Sequence, residues 1–403
     1  MTRRWALSAL AVLSALAPLA ASVPSALAVD PAACGDGSPA YIPQTPSAFS
    51  SLALERAWTI SKGKSVVVAV VDSGVDPSDN PHLEGVVLAG TDLVDGRGDG
   101  REDDYWHGTE VAGIIAARKV NGSGLVGIAP EAKILPVRVY SGSCDSKAPE
   151  IDPAKLADGI EWAADANPHP QIIVVAASMP FSTPRLEQAV RHASERGSLV
   201  VAAAGNADDP GVPDDRIQDR YPASIDGVLS VTAVDQEGRP SANVVMNVFI
   251  DIAAPGQAVT TTRPGGRDIV VSQDKASSSY ATAYVAGAAA LVAAAFPEET
   301  PAQWADRLLT TASRPKPLQS PTDLQKVGWG IVAPYNALNI EDVAAVPGPK
   351  NSTQPPAQAL TPPNASPPQP ATGSLFTIIG PIAGVTAIAL IAISLLKARR
   401  AVG

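Results

Sequence analysis

The sequence predicts an α/β fold: a three-layer, doubly wound, mostly parallel sheet covered by helices on both faces. Short apolar runs that are rich in β-branched residues predict strands at Val66–Val71, Ile172–Ala177, Leu199–Ala204 and Val228–Val234. Continuous runs of this kind, rather than alternating patterns, are typical of strands buried on both faces of a sheet. Helical segments separate these runs, and the alternation predicts one large doubly wound domain.

Three helices are predicted from an N-capping residue followed by proline, at Asp152-Pro153, Thr183-Pro184 and Thr300-Pro301. A side-chain oxygen at the N-cap accepts an unpaired backbone N–H, and proline suits the first helical position because its missing N–H needs no partner there. Apolar residues such as Leu156 and Ile160 then recur at helical spacing, which gives each helix one face toward the core.

The composition narrows the class of protein. The chain has 403 residues, of which 45% are hydrophobic, and a formal net charge of −10. This size allows one large core with appended segments. Because the acidic balance comes with no basic run before the extreme C-terminus, we expect no nucleic-acid partner.

The N-terminus has the organisation of a secretory signal peptide. Arg3 and Arg4 precede the apolar segment Trp5–Ala20, and the stretch Ala26–Ala28 forms an A-x-A cleavage site. The rest of the chain is therefore predicted to reach an oxidising compartment.

Two cysteines, Cys34 and Cys144, follow the signal peptide. An even pair in an oxidising compartment favours one disulfide, which would tie the N-terminal extension to a loop of the domain, with two unpaired thiols as the alternative. A zinc site needs more soft ligands than two cysteines supply. The acidic segment Asp92–Asp104 does not fit the EF-hand spacing, and we interpret it as a solvated loop. We therefore expect no metal site.

The C-terminal part has the pattern of a membrane anchor. A Pro-, Ala- and Ser-rich spacer precedes Leu375–Leu396, an uncharged apolar segment long enough to cross a bilayer. Lys397, Arg399 and Arg400 follow it, so the positive-inside rule places the C-terminus in the cytoplasm and the folded domain outside. The stretch Gln369–Gly373 resembles a cell-wall sorting signal, which leaves attachment to the wall as the alternative.

The predicted organisation is a signal peptide (1–28), an N-terminal extension (29–50), the folded domain (51–345), a Pro-rich linker (346–373), a transmembrane helix (374–396) and a basic tail (397–403).

Four polar residues have positions suited to nucleophilic catalysis. Asp72 ends a buried strand, His107 opens a helix, and Asn206 follows another strand in a Gly-Asn turn. Ser279 lies at the first turn of an Ala-rich helix, where the backbone N–H groups and the helix dipole favour a developing oxyanion. A serine nucleophile needs a base, the base needs an acid that fixes its tautomer, and the oxyanion needs donors. Together the four residues supply these groups.

His107 is the histidine whose sequence context would position a base. It opens the segment HGTEVAG, whose small residues allow close packing against a neighbouring element. Of the remaining histidines, His82 and His192 are predicted at the surface, and His169 lies between prolines in a loop.

In chain order these residues resemble the Asp…His…Ser arrangement of the subtilisin-like serine proteases. The flanking segments match as well: DSGVD at Asp72, HGTEVAG at His107, GIAP at Gly127–Pro130, AAAGN before Asn206, and YPAS at Tyr221–Ser224. The resemblance extends from Leu52 to Leu338. Within this family the chain is similar to the mycosins, membrane-anchored proteases that accompany type VII secretion. It shares their short extension, Pro-rich spacer, single C-terminal helix and closing GWGIV segment at Gly328–Val332.

The resemblance implies a serine endopeptidase that needs no cofactor. Ser279 would attack the scissile carbonyl, His107 would take up and return its proton, and Asp72 would orient His107. Asn206 and the backbone N–H of Ser279 would hold the oxyanion. The resemblance further implies that Ser178, Met179, Ala203 and Gly205 bind the substrate.

The chain departs from the family pattern GTSxAxPxVAG around the nucleophile. Ser277 stands where the family usually has glycine, and we expect it to narrow the cleft or to strain a glycine-specific turn. Ala283 stands in place of the usual proline. At the edge of the cleft, Pro180 removes an N–H that could have bonded an extended substrate.

The leading interpretation is a single-pass plasma-membrane endopeptidase whose catalytic domain lies outside the cytoplasm. It would act on protein or peptide substrates and accompany a type VII secretion membrane complex. One alternative is a scaffold subunit of such a complex, in which proteolysis is weak or dispensable. The other is a general, cell-wall-anchored subtilase.

Overall fold

A seven-stranded parallel sheet lies at the centre of the domain. Its strands are β1 (Val67–Asp72), β2 (Thr91–Asp92), β3 (Lys133–Arg138), β4 (Ile172–Val175), β5 (Leu199–Ala203), β6 (Leu229–Val234) and β7 (Ile252–Pro255). They follow one another across the sheet in the order β2-β3-β1-β4-β5-β6-β7. A separate antiparallel hairpin pairs β8 (Val259–Thr262) with β9 (Asp268–Val271).

The computed structural model describes residues 40–144, 149–314 and 325–345. The chain divides into two units, Met1–Thr353 and Gln354–Gly403. The second unit lies outside the described residues, as do the predicted signal peptide, linker and transmembrane helix. Cys34 lies outside them too, so its pairing with Cys144 stays a prediction.

Helices cover both faces of the sheet. They are α1 (Ser47–Ser51), α2 (Leu54–Ala57), α3 (His107–Ala116), α4 (Pro153–Asp165), α5 (Pro184–Glu195), α6 (Ser278–Ala295), α7 (Pro301–Thr310) and α8 (Pro334–Asn339), with a 3₁₀ turn at Val343–Ala345. Side chains of β1 alternate between two apolar cores: Val68 and Val70 pack with α3 and α6, whereas Ala69 and Val71 pack with α4 and α5. The predicted three-layer architecture is therefore confirmed.

The predicted helix starts are confirmed in their hydrogen bonds. The Asp152 carboxylate accepts the N–H of Ala154, and the Thr183 hydroxyl accepts the N–H of Leu186. At the start of α7, Thr300 forms a capping box with Gln303. In each helix the N-cap oxygen satisfies one of the donors that the first turn leaves unpaired.

The strands β2, β3 and β7 and the β8–β9 hairpin were not predicted from the sequence. Pro136 lies within the apolar run of β3. A proline cannot donate a hydrogen bond to a β-ladder, so its presence normally argues against a central strand. The structure tolerates it because β2 pairs only with the last two residues of β3, Val137 and Arg138. Pro136 is paired with Val70 of β1 on one side, and the ladder with β2 begins only at the next residue on the other side.

Helix α6 runs through the core and carries Ser279 in its first turn. It packs against α3 and against five strands, β1, β4, β5, β6 and β7. Among the described residues, α6 is the one helix that is long and apolar enough to cross a membrane by length and composition. Most of it is buried inside the domain, as expected of a core helix.

His82 is buried in this structure, and the prediction that it lies at the surface is wrong. Its Nε2 lies 2.9 Å from Asp268 Oδ1, and both side chains are fully buried. Asp268 also accepts the N–H of Ile42, which belongs to the N-terminal extension. The Ile42 carbonyl in turn accepts the N–H of Gly124. The described part of the extension is thus held at the β9 edge, and none of these residues lines the cleft described below.

The acidic loop is organised by arginine. The Arg138 guanidinium at the end of β3 lies 2.8 Å from Asp92, 3.1 Å from Asp95 and 3.7 Å from Asp104. Asp92 is buried, so the prediction of a fully solvated loop is wrong at this residue. Within the described ranges, no group of His, Cys, Asp or Glu side chains is arranged to hold a metal ion.

Gly287 is required where α6 crosses the loop that contains Ile128. A Cβ at this position would lie 2.6 Å from the Ile128 Cβ, which is closer than real Cβ atoms approach. We expect Gly287→Ala to lower the free energy of unfolding by about 1–2 kcal/mol, because overpacking outweighs the gain in helix propensity. Denaturant unfolding of the purified domain measures the change. Equal or higher stability would show that the two elements separate without cost.

Candidate active site

Three of the four predicted catalytic residues, His107, Asn206 and Ser279, line one cleft at the carboxyl ends of the parallel strands, and Asp72 is buried against His107. Asp72 is the last residue of β1, and Asn206 follows β5. Parallel strands place such residues at the same edge of a sheet, where open α/β proteins bind their ligands. The cleft has a volume of about 820 Å³, and its lining includes His107, Asn206 and Ser279.

Asp72 and His107 form a buried hydrogen-bonded pair. His107 Nδ1 lies 2.8 Å from Asp72 Oδ1; the carboxylate is fully buried and the imidazole is 16% exposed. The bond fixes the tautomer with the proton on Nδ1, which leaves Nε2 as the acceptor. Asp72 therefore lies where an acid could orient His107 as a base.

The charge of Asp72 controls the protonation of His107. Burial by itself disfavours the charged imidazole, but the neighbouring Asp72 charge and hydrogen bond outweigh it and raise the pKa of His107 to about 9. Glu110 and Asp103 add to the same effect. Burial likewise opposes ionisation of Asp72, yet His107 and the surrounding donors hold the pKa of this carboxyl below its usual value.

Two glycines allow the close approach that places His107 over Asp72. A Cβ on Gly108 would collide with the carbonyl oxygen of Gly74, and one on Gly74 would collide with the carbonyl of Glu102. Gly74 also has a φ of 109°, in the left-handed region that favours glycine. The Gly108 N–H donates to Ser73 Oγ at 3.0 Å. The glycines in DSG and HGT are therefore steric requirements of the site.

A second buried carboxylate, Asp103, fixes the start of α3. It accepts the N–H groups of Trp106 and Thr109 and the hydroxyls of Ser73 and Thr109. These donors do not fully compensate its desolvation, and burial raises the pKa of Asp103 to about 6. Sequence reasoning placed Asp103 in a loop and missed this position behind the catalytic pair.

Asn206 lies in the cleft with its amide held from both ends. Its Oδ1 accepts the N–H of Ser278 at 2.8 Å, and its Nδ2 donates to Asp209 Oδ1 at 3.3 Å. The Gly205 N–H donates to Ser278 Oγ, which joins the end of β5 to the start of α6. Because Oδ1 accepts an N–H and one Nδ2–H binds Asp209, the second Nδ2–H is the remaining hydrogen-bonding group of the Asn206 amide.

Ser279 occupies the first turn of α6 and lines the cleft together with His107. No hydrogen bond joins its hydroxyl to His107 among the described residues. In free enzymes such bonds are often long and shorten only in the substrate complex. Ser277 also lines the cleft. Its φ of −118° is ordinary extended backbone, so the strain expected where the family usually has glycine is absent.

The predicted substrate-binding residues divide into two groups. Ser178, Met179 and Ala203 line the cleft. Gly205 is not among the lining residues; its φ of 100° turns the chain after β5, and a Cβ there would lie 3.0 Å from Ser178 Oγ and from Arg220 Cγ. The Met179 N–H donates to the Tyr221 carbonyl, so this segment is already paired on one side. Pro180 follows it on the cleft wall, as expected.

Sequence reasoning missed a charged pair in the cleft wall. Arg220 is almost completely buried and donates to Ser178 Oγ, the Ser178 carbonyl and the Pro210 carbonyl. Its guanidinium lies 3.6 Å from Asp209, which accepts the Ser178 hydroxyl and the Asn206 N–H. The DDP segment at Asp208–Pro210 carries no local signal of this role. The arginine ties the segments after β4 and β5 together.

Glu110 connects the two helices that carry His107 and Ser279. Its carboxylate accepts the Tyr280 hydroxyl at 2.5 Å and the Arg263 Nε–H at 2.6 Å. The Tyr280 ring lies 5.7 Å from the His107 ring. The buried carboxylate of Glu110 thus fixes α6 against α3 one residue after Ser279.

Comparison with known proteins assigns most of the described domain to one protein family. Residues 63–330 match the Subtilase family, Peptidase_S8. The thermophilic serine proteinase of Bacillus sp. (strain AK1) is 37% identical over 240 residues, which are 59% of this chain and 55% of that protein. The chain therefore spans about half the length of that relative.

Solved structures agree with the predicted resemblance to mycosins. MycP1 from Mycobacterium smegmatis has 30% sequence identity and a TM-score of 0.62, over 75% of this chain and 88% of that chain. A chain in the structure of an intact ESX-5 inner membrane complex has 29% identity and a TM-score of 0.63, over 88% of this chain and 90% of that chain. With the family match extending from β1 past α7, and with the predicted residues gathered in one cleft, this chain belongs to the Subtilase family.

Proposed function

We propose that this protein is a membrane-anchored, extracytoplasmic serine endopeptidase that cleaves peptide bonds through an acyl-enzyme. The observation that carries the proposal is the buried Asp72–His107 hydrogen bond, in the same cleft as Ser279 and Asn206. The family and its named serine proteinases support this activity.

The reaction begins with attack of Ser279 Oγ on the scissile carbonyl carbon. His107 Nε2 takes the hydroxyl proton, and Asp72 stabilises the resulting imidazolium. The oxyanion is held by the Asn206 Nδ2–H and the Ser279 backbone N–H at the start of α6. The intermediate collapses as His107 returns the proton to the leaving amine, and a water molecule then hydrolyses the acyl-Ser279 ester by the reverse sequence.

Location and partners are proposed from the sequence and from the relatives together. The uncharged segment Leu375–Leu396 and the basic residues after it support a single membrane span with the catalytic domain outside. The likeness to a chain of the ESX-5 inner membrane complex supports association with a type VII secretion complex. The substrates would be proteins or peptides on the outer face of the membrane, and we propose a Cys34–Cys144 disulfide in this oxidising compartment.

A scaffold role in a secretion complex is the second candidate function. It is favoured by the likeness to a chain of a membrane complex, and by Ser277 and Pro180, which depart from the family pattern inside the cleft. The two functions separate in cells that carry either Ser279→Ala or a complete deletion. Secretion that survives Ser279→Ala but fails on deletion supports the scaffold, whereas loss in both supports proteolysis. Wall-anchored localisation without any secretion defect would instead favour a general subtilase.

Ser279 is expected to be the residue that a fluorophosphonate probe labels, since the probe reacts with a serine activated by a neighbouring base. Ser279→Ala should abolish labelling of the purified full-length protein. Ser277→Ala is the matched control, because Ser277 lines the same cleft two residues earlier and should leave labelling intact. Labelling that persists in Ser279→Ala would reject the assignment.

Activity is expected to increase with pH. His107 accepts a proton only when it is neutral, and the Asp72 charge raises its pKa to about 9. The value of kcat/KM should therefore fall about tenfold per pH unit below that point and level off above it. The measurement is a pH profile of kcat/KM on a chromogenic peptide from about pH 6 to about pH 10.5. A midpoint at or below the ordinary histidine value would contradict the proposed charge coupling.

A further inference from the structure

The hydroxyl of Tyr140 contacts both members of the Asp72–His107 pair. Tyr140 lies two residues beyond β3, is 7% exposed and lines the cleft. Its hydroxyl lies 2.6 Å from Asp72 Oδ1 and 3.3 Å from His107 Nδ1. Since the carboxylate can only accept, the tyrosine is the donor in the shorter contact.

The hydrogen bonds of Asp72 are concentrated on one of its two oxygens. Oδ1 receives His107 Nδ1–H, the Ser73 backbone N–H at 2.8 Å and the Tyr140 hydroxyl. Oδ2 is buried without a hydrogen-bond partner within the described part of the chain. Tyr140 and His107 therefore share one acceptor oxygen, and the hydrogen bond from Tyr140 stabilises the carboxylate and lowers its basicity toward His107.

We propose that Tyr140 is a positioning residue of the active site, whose hydroxyl holds the Asp72 carboxylate and limits the basicity that Asp72 gives to His107. The inference rests on the proposed function. In this role Tyr140 does more than pack. Its hydroxyl adjusts the lower end of the pH range in which His107 is neutral and able to act as a base.

The electrostatics of the site agree with this role. Burial and the charge of Asp72 raise the pKa of Tyr140 well above its usual value, so Tyr140 remains a permanent donor. Its hydrogen bond is one of the interactions that lower the pKa of Asp72. The other groups that face His107 are Glu110 and Asp103, whose charges favour the imidazolium, and the rings of Tyr105 and Tyr280. All of these remain when the Tyr140 hydroxyl is removed.

The test is Tyr140→Phe in the full-length protein, which deletes one oxygen and keeps the ring. Loss of the donor leaves more negative charge for His107, so its imidazolium is stabilised further. We expect the acid limb of kcat/KM to move to higher pH by about half to one unit. At pH 7 this shift corresponds to a loss of about three- to tenfold, while the alkaline plateau changes by less than about threefold.

The matched control is Tyr105→Phe. The Tyr105 ring lies 6.2 Å from the His107 ring and 6.1 Å from the Tyr140 ring, but its hydroxyl forms no hydrogen bond with Asp72 within the described residues. Its pH midpoint should match that of the wild type. A Tyr140→Phe midpoint that is unchanged, or a loss of activity that is equal at every pH, would overturn the proposal, because a purely structural role predicts those results.

A second substitution keeps the proposal testable if Tyr140→Phe does not fold. Incorporation of 3-fluorotyrosine at position 140 strengthens the donor without changing the shape of the site, and it should move the acid limb to lower pH. A shift to higher pH or no shift would overturn the proposal. Fluorophosphonate labelling of the wild type separates the two levels of inference: a wild type that is never labelled refutes the endopeptidase itself, whereas normal labelling with an unmoved midpoint refutes only the role of Tyr140.

Discussion

The close approach of α3 to the turn after β1 is the constraint on which the active site depends. Gly108 leaves no room for a side chain against the Gly74 carbonyl, and Gly74 leaves none against Glu102. This contact brings the first residue of α3 over the last residue of β1, so that His107 and Asp72 meet within 2.8 Å. Backbone atoms rather than flexible side chains set this distance, which is the kind of support that catalytic geometry needs.

Three buried carboxylates then determine the electrostatics around His107. Asp72, Asp103 and Glu110 lie near the imidazole, and each is held by several donors rather than by solvent. Their combined charge raises the pKa of His107 and so favours the imidazolium, the form that the proposed attack by Ser279 would generate. The neutral donors that bind these carboxylates, such as Ser73 and Thr109, therefore affect the base without touching it.

Local patterns in the sequence were sufficient for four of the seven sheet strands, for the capped helices, and for the buried Asp72 and the three residues that line the cleft, His107, Asn206 and Ser279. They were not sufficient for β3, because Pro136 argues against a strand in the local sequence. The strand forms through its pairing with β1 on one side and with β2 on the other. Nor did they give Tyr140 as a second partner of Asp72, or Asp209 and Ser278 as the partners of the Asn206 amide. Tyr140 and Arg220 form their hydrogen bonds with residues far away in the chain. A tyrosine or an arginine near the end of a strand carries no local pattern that indicates such a partner. His82 was misplaced for the same reason, because its partner Asp268 is distant in sequence.

Helix α6 is a buried core helix whose length and apolar character also match those of a membrane span. A chain exported in unfolded form would present this helix to the translocation channel before any strand could cover it. Half of its 18 residues are alanine, whereas leucine, isoleucine, phenylalanine and valine are the side chains that most favour insertion into the bilayer. Small side chains in α6 therefore permit tight packing on the sheet, and in the proposed export they would also lower the tendency of this segment to enter the bilayer.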